Sequence, residues 1–178
     1  SNLLEHFDGL AYNVVKQAQY SVKTLIKLIT QYFPGFRDNS QFYGDQIFFY
    51  KRVQILCGDI YGAFKGDGIG AFIDMEYLTC FPDYRIPQLF RSLGVIRTTD
   101  EFGVVLNNDQ ATKQNVLSNS EEEILLRCWT VQVVELIKNK LLQKYNVTIH
   151  AYQLDWLLWE RGEKLMKENK LLNHHRTL

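Results

Sequence analysis

Apolar residues return every three or four positions through three of four long stretches in this 178-residue chain and fill the other nearly all round, and both patterns specify helices. In the first, Leu10 to Phe33, the period is kept by Val14, Val15, Ala18, Val22, Leu25, Ile26, Ile29 and Phe33, with Lys16, Lys23 and Lys27 among the polar positions. Pro34-Gly35 ends it. The second, about Asp45 to Phe64, is apolar nearly all round, which marks a buried helix. The third opens on Ser120-Glu121-Glu122-Glu123, a capping-box pattern, and runs to Tyr145 through Ile124, Leu125, Cys128, Val131, Val134, Leu136, Ile137 and Leu141. Its glutamates suit the positive end of the helix. The fourth spans about Ile149 to Glu168, with Tyr152, Leu154, Leu157, Leu158 and Leu165 apolar, Asp155 among them, and Trp156 and Trp159 beside it. The expected fold is all-α, a single helical bundle over residues 1–178 with room for one short extended pair.

The connections read less regularly. Residues 36–45 are rich in Asp, Asn, Ser and Gly and read as a loop. Gly66-Asp67-Gly68-Ile69-Gly70 follows no strand and lacks a Gly-Lys-Ser/Thr ending, so it reads as a flexible connection rather than a phosphate cradle. Residues 72–79 read as a short helix or turn, and a further helix runs to about Gly94. Val95-Ile96-Arg97 reads as extended, Thr98-Thr99-Asp100 as the cap of a brief helix to about Asn107, and 107–120 as a polar loop.

Charge and cysteine content narrow the function. Lysine plus arginine and aspartate plus glutamate both number 20, so the chain lacks the basic surplus of proteins that hold nucleic acid by its phosphates. Cys57, Cys80 and Cys128 are odd in number, far apart and set in apolar sequence, which points to buried reduced thiols in the cytosol. No apolar run is long enough to span a bilayer, and the start lacks a signal-peptide pattern. His6, His150, His174 and His175 lack metal-ligand spacing, and no nucleophile elbow or dinucleotide fingerprint occurs. We therefore expect no metal, no organic cofactor, no stable nucleic-acid partner and no membrane association.

The densest cluster of chemistry is Phe81-Pro82-Asp83-Tyr84-Arg85-Ile86-Pro87-Gln88. Pro87 suits a first helical turn, and an acid just ahead of it meets the positive helix end, which keeps the carboxylate ionised. That spacing is equally compatible with a plain helix cap at Asp83. In the second helix, Arg52 and Asp59 are seven residues apart and share a face, as an internal ion pair would require, and Lys51 and Asp59 line one groove.

Phe-Pro-Gly-Phe-Arg-Asp at 33–38, Phe-Tyr-Lys-Arg at 49–52 and Phe-Pro-Asp-Tyr-Arg-Ile-Pro-Gln at 81–88 resemble the queuosine salvage family, the queuosine 5′-phosphate N-glycosylases. The likeness extends through Val134-Glu135-Leu136-Ile137 and Leu154–Trp159 to His175-Arg176, and so covers most of the chain. It implies a helical fold similar to that of DNA glycosylases. It also implies hydrolysis of queuosine 5′-monophosphate to release queuine for salvage into tRNA modification. On the same footing, Asp83 resembles the catalytic acid and Lys51 the lysine that contacts phosphate. Arg85 is a second candidate for phosphate, or a partner of Asp83 or of a helix end. Tyr61, Tyr84, Asp59 and Asp155 are candidates for stacking on the base and accepting from its donors. Family members often carry tryptophan where this chain has Tyr61, and alanine where it has Pro82. They are also considerably longer. The resemblance thus equates residues 1–178 with their C-terminal part, and implies that an N-terminal portion forming one wall of the pocket is absent. Ser1-Asn2 resembles a cleavage scar. The chain is expected to be a monomer, or to associate with that N-terminal segment.

Two rival readings follow. A base-excision enzyme on the same fold would have to hold duplex DNA and extrude a base, and a gel shift at low salt would reveal it. A helical module without a working site would leave queuosine monophosphate intact.

Overall fold

Asp74 decides where the longest amphipathic stretch breaks. The computed structural model describes residues 1–97, 99 and 119–168. In it the helix expected over 10–33 is two, α2 (Ala11–Gln17) and α3 (Val22–Tyr32), preceded by a short α1 (Asn2–Phe7). Gln19 and Tyr20 between them take left-handed φ values of 51° and 63°. The Asp74 carboxylate accepts from Val22 N at 2.6 Å, Lys23 N at 3.3 Å and Ser21 Oγ at 2.9 Å, while Ser21 Oγ accepts from Thr24 N. These bonds satisfy the exposed donors of a helix start and favour beginning a new helix at Val22. Apolar period alone does not register such a break, because Val14, Ala18, Val22 and Leu25 keep their spacing across it and are all buried. Asp74→Ala should therefore lower stability by about 1–2 kcal/mol, read from a denaturant midpoint. An unchanged midpoint would assign the break to the turn at Gln19-Tyr20 instead.

The second expected helix is also shorter than its pattern. Residues 45–48 form a strand, β2 (Asp45–Phe48), paired with β1 (Asn39–Phe42), and α4 begins at Lys51 and ends at Ala63. Tyr43 and Gly44, at φ 48° and 91°, make a two-residue hairpin turn that needs positive φ at both positions. Tyr50, at φ 50°, separates the strand from α4. The extended pair thus lies here, whereas Val95 and Ile96 both donate to Phe90 O and form a helix-end turn rather than a strand. The glycine-rich stretch is a 3₁₀ turn, Gly68–Gly70, with Asp67 accepting from Gly68 N at 2.7 Å.

The described chain forms two compact units, residues 1–39 with 47–81, and 40–46 with 82 onwards. In the first, α3 packs on α2 and α4 around Val22, Leu25, Val53 and Cys57. Burial, and then the Asp74 charge, push the Cys57 thiol up to about 12, so it is inert near neutral pH. In the second, α5 (Arg85–Ser92), α6 (Glu121–Tyr145) and α7 (Ala151–Lys167) pack on one another around Ile86, Leu89, Phe90, Ile124, Val134 and Leu154. Ser120 Oγ accepts from Glu123 N at 3.3 Å, as the capping box predicts, but Glu123 reaches back to Asn119 N rather than to Ser120. Cys128 is only half-buried, unlike Cys57 and Cys80. The expected helix from Thr98 to Asn107, most of the polar loop after it and the His174-His175-Arg176 end lie outside the described residues. Among the described residues no helix is long and apolar enough to cross a membrane.

Candidate functional site

Asp83 stands where a helix begins. Its Oδ1 accepts from Arg85 N at 2.8 Å and Ile86 N at 3.4 Å, the first donors of α5. Two backbone N–H groups and the positive helix end all favour the carboxylate as an anion. The cap and the charge are thus one arrangement: the bonds that start the helix also fix the acid. Pro82 before it is buried, and Arg127 of α6 donates from Nε to the Pro82 carbonyl at 3.1 Å. Arg127, 3% exposed, in turn lies 3.6 Å from Glu123 Oε1 across one helical turn.

Arg85 is 2% exposed, and its contacts lie within the protein. Nε donates to Glu163 Oε1 at 2.6 Å, and Nη1 donates to Gln88 Oε1 at 2.5 Å. The guanidinium carbon lies 5.2 Å from the centre of the Tyr84 ring. On α7, a Cβ at Gly162 would come within 2.9 Å of Arg85 Cγ, so only glycine lets the arginine stem pass this close. Asp155 is seven residues before Gly162 and therefore on the same face of α7, about 10 Å along the axis. It is buried, in the turn where the Tyr152 and Trp156 rings meet edge to face. Asp83, Tyr84, Arg85 and Asp155 all belong to the second unit.

Lys51, Asp59 and Tyr61 belong to the first. Lys51 is the first residue of α4, half-buried, and its N–H donates to Asp38 Oδ2 at 2.9 Å. Asp38 O accepts from Phe49 N and Tyr50 N at 3.0 Å each. Arg52 is exposed and donates to Gly35 O at 3.2 Å with Phe36 under its guanidinium. Two of the motifs picked out in the sequence, 33–38 and 49–52, therefore interlock. The ion pair that Arg52 and Asp59 would make on one helix face does not form, because Arg52 is held at Gly35 and Asp59 is exposed two turns away. The Tyr61 ring lies against the glycine turn, 3.0 Å from where a Cβ of Gly66 would stand. Buried Gln54, two residues past the second motif, exchanges hydrogen bonds with Thr79: Thr79 N donates to Oε1 at 2.9 Å and Nε2 donates to Thr79 Oγ1 at 3.1 Å. That exchange fixes the approach to Phe81.

Glu163, Arg127 and Glu123 were not among the candidates read from sequence. Gly162, a glycine inside a helical pattern, was the available signal for the first. For the others it was the Glu-to-Arg spacing of four on α6. Among the described residues no three His, Cys, Asp or Glu side chains converge as a metal site requires.

A model of the family described as queuosine salvage protein matches residues 1–178. The chain is 40% identical over 176 residues to a Dictyostelium discoideum protein named queuosine 5′-phosphate N-glycosylase/hydrolase, covering 99% of this chain and 53% of that protein. Proteins of the same name from Sphaerobacter thermophilus and Mus musculus are 38% and 34% identical over 99% and 98% of this chain, and over 53% and 52% of their own lengths. The chain thus spans about half the length of these curated relatives.

Proposed function

Because the chain belongs to the queuosine salvage protein family, we propose that it carries the catalytic acid of an N-glycosylase that hydrolyses queuosine 5′-monophosphate and releases queuine. The observation that carries this reading is the Asp83 carboxylate, held at the start of α5 by two backbone N–H groups. Cleaving an N-glycosidic bond moves the bonding pair onto the base and leaves positive charge on the sugar ring. A fixed anion stabilises that cation, and it needs little reorganisation as the charge develops. Water then adds to the anomeric carbon, and the proton it gives up passes through a general base, a role open to the same carboxylate, and ends on the departing queuine nitrogen. Direct attack by Asp83 on the sugar, followed by hydrolysis of the ester, balances equally well.

In this reading Lys51 meets the 5′-phosphate, and Tyr61, Tyr84, Asp59 and Asp155 are candidates for stacking on the base and accepting from its donors. The inert, buried thiol of Cys57 and the buried Cys80 suit a cytosolic enzyme. Incubation with queuosine 5′-monophosphate, followed by mass spectrometry for free queuine, tests the proposal. Intact nucleotide beside a folded chain would count against it.

Lys51 gives a sharper test. Its charge interacts with phosphate only when phosphate is present, so Lys51→Ala should lower kcat/KM for the nucleotide more than for the nucleoside. Steady-state kinetics on both substrates measure the ratio. Equal losses would assign Lys51 to the start of α4.

A further inference from the structure

We infer that Glu163 is a positioning residue for the reaction: through the buried Arg85 guanidinium it fixes the backbone N–H that holds the Asp83 carboxylate. The inference rests on the reading of Asp83 given above and deepens it.

The chain of contacts is short. Arg85 N donates to Asp83 Oδ1 at 2.8 Å, so the position of that oxygen follows the position of the Arg85 backbone. The Arg85 side chain is in turn anchored at separate points, Glu163 Oε1 at 2.6 Å, Gln88 Oε1 at 2.5 Å and the backbone-tight passage over Gly162. Its only charged partner among the described ion pairs is Glu163, which sits 78 residues away on α7. The Arg85–Gln88 bond lies within α5. The Arg85–Glu163 bond ties the start of α5 to α7. A guanidinium 2% exposed and so held is placed to support, whereas a phosphate ligand would have to reach it through the packing. The same guanidinium lies beside the Tyr84 ring, so it also orients a residue proposed to meet the base. On the other side of Asp83, Arg127 holds the Pro82 carbonyl.

Glu163→Gln tests this with little risk to folding, since glutamine keeps the volume and an acceptor oxygen at a partly exposed position and loses only the charge. Gly162→Ala is the independent variant. Alanine suits a helix interior, but its methyl displaces the Arg85 stem. Two readouts are needed. Amide hydrogen exchange by NMR should show Arg85 N–H exchanging about tenfold faster in Glu163→Gln than in the parent chain, with the centre of α6 unchanged. Kinetics with queuosine 5′-monophosphate should show kcat falling by roughly ten- to a hundredfold in both variants with KM within about twofold, the pattern of a misplaced catalytic group. Unchanged exchange at Arg85 overturns the inference whether or not the parent chain is active. So does a raised KM with unchanged kcat, which would make Arg85 and Glu163 part of the binding surface. A parent chain that releases no queuine refutes the proposed function alone, because the exchange readout still decides the anchor.

Discussion

Asp83→Asn is expected to cut base release by about a hundredfold or more while the chain stays folded. Asparagine keeps an Oδ1 that accepts from Arg85 N and Ile86 N, and it ranks beside aspartate as a helix cap, so α5 should start where it does now. What disappears is the anion. The developing sugar cation then faces a neutral amide, and neither the stabilisation of that charge nor the activation of water survives. Mass spectrometry of released queuine gives the rate, and thermal denaturation of the same preparation gives the fold. Activity within a few-fold of the parent would leave Asp83 as a cap only and move the search to Asp59 and Asp155. A large loss together with a lowered melting point would be ambiguous for alanine, which removes both roles, and that is why asparagine is the informative change.

Local signals were legible in the sequence and distant ones were not. The ends of α6 were readable because Ser120 and Glu123 announce the start and the apolar period runs unbroken to Tyr145. The split between α2 and α3 was hidden because its cause, Asp74, is 52 residues from Val22 in the chain. The hairpin was hidden because Tyr43-Gly44 lacks the Asn-Gly or Asp-Gly signature of such turns, so the apolar residues of β2 merged with those of α4. The candidate site divides in the same way. Asp83 stood out because prolines bracket it and a helix follows. Glu163 and Arg127 did not, because each looks like an ordinary charged position on its own helix, and only packing shows that they meet Arg85 and Pro82, 78 and 45 residues away. The partly buried start of α4 shows a third case: Asp38 and Lys51 were both inside quoted motifs, but nothing in either motif says that the acid takes the lysine's N–H.

The second large effect is on stability. Arg127→Met should lower the unfolding free energy by about 3–5 kcal/mol, the usual cost of removing one member of a buried ion pair. Arg127 and Glu123 are 3% and 4% exposed, and Glu123 Oε1 has no hydrogen-bond partner, so Arg127 at 3.6 Å is the cation that offsets its charge. Methionine fills much of the arginine's length with apolar atoms, which limits the cavity. Glu123 becomes an uncompensated buried charge, and the Pro82 carbonyl loses the donor at 3.1 Å. With a urea dependence of about 1–3 kcal/mol per molar for a chain of this size, the midpoint should fall by roughly 1–5 M. Adding Glu123→Gln to Arg127→Met should recover part of the loss, because the charge goes while Oε1 can still accept from Asn119 N. Non-additivity of that kind is the signature of a coupled pair. A midpoint shift worth less than about 1 kcal/mol for Arg127→Met, or strict additivity in the double variant, would mean that Glu123 finds its compensation elsewhere.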